Sequence, residues 1–254
     1  MVGVPARPPA GTTPGGLILA MDTSGQEGSA ALARLGSSSS LDVLASRILR
    51  PEEEHGSLLV PRIQEIMEEA SAAREDLAGI VVGAGPGSFT GVRVGAATAK
   101  GMARALGVPM WAFSSLAAAA ADFGNPREGP SVRCVLFDAR GERLYAAAYG
   151  FREGVPELVL DPRATSVEEI LCGLIPEGAV LMGDGAWRHL ERFQGEGLEV
   201  LPPPAGRPTA RGLLRLLAAD AAQRPLDDPG RWEPCYLRES GAERTWKTRR
   251  KWKG

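Results

Sequence analysis

The sequence predicts a duplicated α/β chain, two mixed sheets each covered by helices. Three observations predict it. First, an apolar strand ending in Asp occurs twice, from Leu17 to Asp22 and from Val132 to Asp138. Second, each is followed by a tight turn, a returning strand, a third strand, a helix, a further strand, a glycine turn and another helix. Hairpins that feed a sheet which then takes helical crossovers give mixed sheets with helices on their faces. Third, the glycine-rich run Gly83 to Gly95 sits between a β-branched stretch, Gly79-Ile80-Val81-Val82, and a helix-forming stretch from Thr90 to Leu106.

In chain order, Leu17 to Asp22 reads as a buried strand, Gly28 to Leu35 as its hairpin return and Leu41 to Leu49 as a third strand. From Ser57 to Ala73 the apolar residues Leu59, Ile63, Ile66 and Ala70 recur at three- and four-residue steps, an amphipathic helix with Pro61 tolerable in its first turns. After the glycine turn and its helix, Val108 to Phe113 gives another strand and Ser114 caps an Ala-rich helix. A breaker-rich linker, Gly124 to Pro130, precedes the second copy. There the strands are Val132 to Asp138, Leu144 to Tyr149, Pro156 to Leu160, Ala179 to Met182 and Leu198 to Leu201. Helices are expected over Val167 to Leu174, after Gly183-Asp184-Gly185, and over Ala210 to Gln223. The resulting division is 1–16 as a disordered extension, 17–124 as a first lobe, 125–224 as a second lobe and 225–254 as a C-terminal segment.

Composition fits a soluble globular protein: 254 residues, 44% hydrophobic, 24% charged, with no apolar run of membrane-spanning length. The Pro/Gly-rich start lacks the apolar segment of a signal peptide, so a cytoplasmic location is expected. Three scattered cysteines and two histidines offer neither a disulfide framework nor a metal site. Net charge is −2, yet six basic and no acidic residues fall between Arg244 and Gly254, beside Trp246 and Trp252. Such a tail suits nucleic acid or an acidic partner, and equally a solvated end.

Chemistry is sparse. The glycine turn fails the Walker A pattern, because Val92 follows Gly91, and fails the dinucleotide pattern, because Ser88 or Thr90 stands where the sixth-position glycine belongs. Ser88 or Thr90 suits a helix N-cap. Asp22 and Asp138 could position magnesium or act in catalysis, or could simply bond their own turns. No histidine is near Ser88 to activate it, so nucleophilic catalysis lacks its second member. The second helix is more informative, for Gly91, Gly95 and Gly101 each cost roughly 1 kcal/mol in a helix interior and call for a close contact. Either the chain's own sheet or a second chain supplies it. The partner reading takes Leu59, Ile63, Ile66 and Met67 of the first helix with Gly91, Gly95, Ala99 and Met102 of the second.

Doubled, with Asp at the tip of each first strand, the pattern resembles the two-lobed actin-like (sugar-kinase and Hsp70) superfamily, a duplicated RNase H-like fold. That resemblance implies a nucleotide cleft touched by Asp22, Thr23, Ser24, Asp138, Gly183, Asp184 and Gly185. A closer one lies in Gly85-Pro86-Gly87-Ser88-Phe89-Thr90-Gly91 with Arg93, followed by Ala99-Lys100-Gly101. With Ala20 to Ser24, His55, Leu58 to Pro61, Ser114-Ser115-Leu116, Asp138-Ala139-Arg140, Tyr145, Gly183 to Gly185 and Glu233 to Arg238, this run is similar to the TsaB (YeaZ) family. The resemblance implies a non-catalytic subunit in threonylcarbamoyl modification of tRNA. It implies heterodimerisation with a TsaD-type catalytic paralogue through the first two helices, help from a TsaE-type ATPase, and a homodimer when alone. It requires no cofactor in this subunit, while ATP or ADP could sit at the complex interface. One departure stands out: Gly141-Glu142 comes one step earlier than in the family's pattern. The rival from another class is a stand-alone kinase or ATPase using Asp22; a metallopeptidase lacks its ligand histidines.

Overall fold

The computed structural model of the chain describes residues 15–36, 41–50, 55–124, 132–152, 154–219 and 223–237. Residues 1–14, nearly all of the expected linker and the basic tail lie outside the described residues. Gly15 donates its N–H to the Leu35 carbonyl at 3.0 Å, so pairing in the first sheet begins before residue 17, inside the expected extension.

The first sheet has strand order β3-β2-β1-β4-β5, built from β1 (Leu17–Asp22), β2 (Gly28–Leu35), β3 (Leu41–Leu49), β4 (Leu77–Gly83) and β5 (Met110–Phe113). The first three strands pair antiparallel, and β4 and β5 join parallel, which requires the helical crossovers α1 (His55–Glu69) and α2 (Phe89–Leu106). All six residues of β1 are buried because helices cover both faces. Leu19, Met21, Ile80 and Val82 face α1 and α2. The alternating residues Ile18, Ala20 and Val81 face the other way, in one core with Leu213, Leu214 and Leu217 of α7 (Ala210–Ala219).

The second sheet repeats the plan with order β8-β7-β6-β9, from β6 (Val132–Asp138), β7 (Arg143–Arg152), β8 (Val155–Ser166) and β9 (Val180–Met182). The strand expected at 198–201 shrinks to one parallel bridge, Leu181 to Val200, at the position that β5 holds in the first sheet. β8 runs well past the expected Leu160, and as an edge strand it tolerates Pro156 and Pro162. α4 (Val167–Glu169) opens with a capping box from Ser166 and widens into a π-type turn, ended by Gly173 at φ 89°. α5 (Asp184–Arg188) and α6 (Leu190–Gly195) follow β9. This is the two-lobed actin-like fold, both sheets sharing one topology.

α3 (Ser115–Ala121) and α7 join the lobes. Their apolar residues form a single core with Ile18 and Val81 of the first sheet and Val135, Phe137 and Ala147 of the second. α7, in the stretch assigned from sequence to the second lobe, thus lies across the first sheet. Gly212 permits the crossing, since a Cβ there would stand 2.2 Å from the Ala118 carbonyl oxygen.

Candidate functional site

The first-lobe turn is closed by its own side chains. Asp22 is 1% exposed, and its Oδ1 accepts the Ser24 N–H at 2.8 Å and the Ser24 hydroxyl at 2.6 Å. Burial raises its pKa above the ordinary carboxylate value, and hydrogen bonds from Ser24 and Ser115 offset part of that. Thr23 donates its hydroxyl to the Gly91 carbonyl at 2.7 Å. The Ser88 N–H donates to the Ser24 carbonyl at 2.7 Å, which lays the glycine turn over the Asp22 turn.

That overlay explains the glycines. A Cβ at Gly83, Gly87, Gly91 or Gly95 would come within 2.0–2.5 Å of Asp22, Ser24 or Thr23 atoms. Gly85, at φ 83°, gives the turn its left-handed step. Ser88 is the N-cap of α2, its hydroxyl accepting the Gly91 N–H at 3.2 Å.

Between the lobes lies a cleft of about 1930 Å³, lined by Ser24, Asp138, Asp184, Trp187 and the prolines of 202–208 among others. Asp138 accepts the Arg140 N–H at 2.8 Å on Oδ1 and the Arg188 guanidinium at 2.8 Å on Oδ2. Asp184 accepts the Asp138 N–H at 3.0 Å, and its pKa is raised, first by burial and then by the Asp138 charge. Arg140 and Gly141 both take φ 71°, which forms the tight β6–β7 turn despite the early Gly-Glu.

The residues expected to touch a nucleotide come only partly to this cleft. Asp22 and Thr23 do not line the cleft, and a Cβ on Gly25 would meet Pro208 at 2.9 Å. Gly183 and Gly185 are buried against Leu136 and Leu144. Of the four arginines that line the cleft, Arg188, Arg207 and Arg211 pair with Asp138, Glu27 and Asp122, while Arg140 forms no ion pair among the described residues; no lysine lines the cleft among them. Of the seven nucleotide candidates, only Ser24, Asp138 and Asp184 reach it.

The expected partner face also needs correction. Leu59, Ile63, Ile66, Gly91, Gly95 and Ala99 are buried within the chain, because α1 and α2 spend those stripes on the first sheet; Met67 and Met102 are half-buried there. What α2 offers to solvent is Thr90, Arg93, Ala97, Gly101, Arg104 and Ala105, and nothing lies within 4 Å of a Cβ on Gly101.

Sequence reasoning missed a strap. Residues 223–237 run back over the first lobe, with Leu226 N–H donating to Met110 O and Cys235 N–H to Ala84 O, each at 2.8 Å. Lys100 donates to the Gly230 carbonyl at 3.2 Å and lies over the Trp232 ring. Arg93 lies 3.8 Å over the Phe89 ring and reaches the Tyr236 hydroxyl at 3.3 Å. The glycine turn and the Glu233 to Leu237 motif, far apart in sequence, therefore form one element. The signals available were the Glu233 to Arg238 motif and the aromatic pair Trp232 and Tyr236, neither of which says where the segment lies.

Similarity to known proteins assigns the family. Residues 43–192 match the family model described as TsaD: tRNA N6-adenosine threonylcarbamoyltransferase. The chain is 32% identical over 237 residues, 89% of its length and 96% of the other's, to the Escherichia coli tRNA threonylcarbamoyladenosine biosynthesis protein TsaB. It belongs to the TsaB (YeaZ) family. The Bacillus subtilis TsaB protein is 36% identical over 143 residues, which span 56% of this chain and 59% of that protein. The solved structure of YeaZ from Pseudomonas aeruginosa superposes with a TM-score of 0.71 at 29% identity, covering 87% of this chain and all of that one. This TsaB-family chain has no helix among its described residues long and apolar enough to cross a membrane.

Proposed function

We propose that this chain is a non-catalytic scaffold and activator of the complex that transfers threonylcarbamoyl from threonylcarbamoyl-AMP to N6 of adenosine 37 in tRNA. It works in the cytoplasm as a heterodimer with a TsaD-type catalytic paralogue, served by a TsaE-type ATPase, and forms a homodimer when alone. ATP or ADP binds at the complex interface, and the basic tail reaches tRNA. The observation that supports this reading is an asymmetry of satisfaction. Three of the cleft's four arginines are paired with carboxylates, whereas α2 presents an exposed stripe of Ala97, Gly101 and Ala105 bare enough for a neighbouring helix to approach closely.

The test is co-purification with the TsaD-type paralogue. The unaltered chain is expected to hold it through gel filtration, and Gly101→Leu or Ala97→Leu to release it without loss of fold. Release by neither variant, or magnesium-dependent ATP hydrolysis by the isolated chain that disappears in Asp22→Ala, overturns the reading in favour of a stand-alone enzyme.

A further inference from the structure

We infer that Arg93 is the residue with which this chain grips an acidic side chain of its catalytic paralogue, and that Tyr236 is its positioning residue; the inference rests on the reading above. Arg93 stands one turn into α2 and is exposed. Its guanidinium lies 3.8 Å over the Phe89 ring and 5.6 Å from the Tyr236 ring centroid, and its Nε donates to the Tyr236 hydroxyl at 3.3 Å. The two rings stand 5.3 Å apart, tilted by 46°. Stacking and the Nε bond fix the plane of the guanidinium. Its two terminal nitrogens carry no bond to any described residue, so they form a fixed two-donor fork, the geometry that a carboxylate accepts at both oxygens.

Two further features choose the occupant. α2 contains no Asp or Glu, so no neighbour on its own helix neutralises Arg93. Arg93, Ala97 and Gly101 fall at four-residue steps and share one face of α2. A helix close enough to use the bare stripe therefore meets the fork, which favours a protein carboxylate over RNA. The strap gains a purpose: by bringing Tyr236 onto Arg93, it joins the C-terminal segment to the docking face.

The experiment titrates the TsaD-type paralogue into the wild type, Arg93→Gln, Arg93→Lys, Tyr236→Phe and Tyr236→Ala, at low and high salt, with melting curves for each. Arg93→Gln is expected to weaken binding tenfold or more and to flatten its salt dependence, without changing the melting temperature. Arg93→Lys recovers little, since an ammonium cannot fork. Tyr236→Ala approaches the loss of Arg93→Gln, while Tyr236→Phe, which keeps the stack, stays near the wild type. Arg93→Gln within twofold of the wild type overturns this inference alone, as does full recovery in Arg93→Lys. So does weakened tRNA binding by the complex with the heterodimer intact, which would make the partner RNA. A wild type that does not bind the paralogue overturns the underlying reading, and the inference with it.

Discussion

The two lobes close the same strand-end turn, and differ in what lies on it. In each, an Asp at the tip of the first strand accepts the N–H two residues on at 2.8 Å, Asp22 from Ser24 and Asp138 from Arg140. In the first lobe the glycine turn before α2 lies over the carboxylate and buries it. In the second the carboxylate faces the cleft at 10% exposure and is met by Arg188. One sequence device thus serves as a buried keystone in one lobe and as a surface pair in the other. A strand-end Asp in this fold is therefore no evidence of chemistry until its covering is known.

The sharpest way to break the comparison is to unseat the cover. Gly91→Ala places a methyl 2.0 Å from the Thr23 carbonyl oxygen, and is expected to cost about 3 kcal/mol or more in denaturant unfolding. Gly101→Ala on the same helix meets nothing, and is expected to stabilise by about 0.5–1 kcal/mol through helix propensity alone. Equal effects from the two would contradict the overlay.

Asp22→Ala is expected to cost about 1–3 kcal/mol, because it leaves the Ser24 donors unmet in a buried turn. Asp22→Asn tests the charge. Burial raises the folded pKa above 3.8, so the native state holds this proton more tightly than the unfolded chain does. The stability this contributes is fully present below about pH 4 and is lost as pH rises through the folded pKa. The Asn variant, which cannot ionise, should gain on the wild type in melting temperature as pH rises from 4 to 7; a constant difference would mean that the carboxylate is solvated. The smallest effect is expected from Arg188→Ala, at most about 1 kcal/mol, since that arginine side chain is 54% exposed.

Much of the fold was legible because periodicity and punctuation agree. The twice-repeated strand, Asp and hairpin gave both sheets, and Leu59, Ile63 and Ile66 gave α1. The partner face was legible only as an ambiguity, because Gly91, Gly95 and Ala99 look alike whether they meet a strand or a stranger. Only the position of Thr23 decides that the bareness of Gly91 and Gly95 serves the chain itself. Gly101, six residues beyond Gly95 and on another face of the helix, meets nothing within the chain, and the docking proposal moves to it for that reason. The strap was illegible because residues 223–237 bond through backbone groups, Lys100 and Arg93, with no repeating pattern to betray them. The cleft candidates were carried by resemblance, and Glu27, Asp122 and Arg207 could not be seen to occupy it without coordinates.

The decisive measurement is one binding isotherm, that of the TsaD-type paralogue titrated into the wild type and into Gly101→Leu. Saturable one-to-one binding by the wild type is expected, and at least tenfold weaker binding by the variant at an unchanged melting temperature. Equal affinity for both, or no binding by the wild type, would contradict the docking proposal.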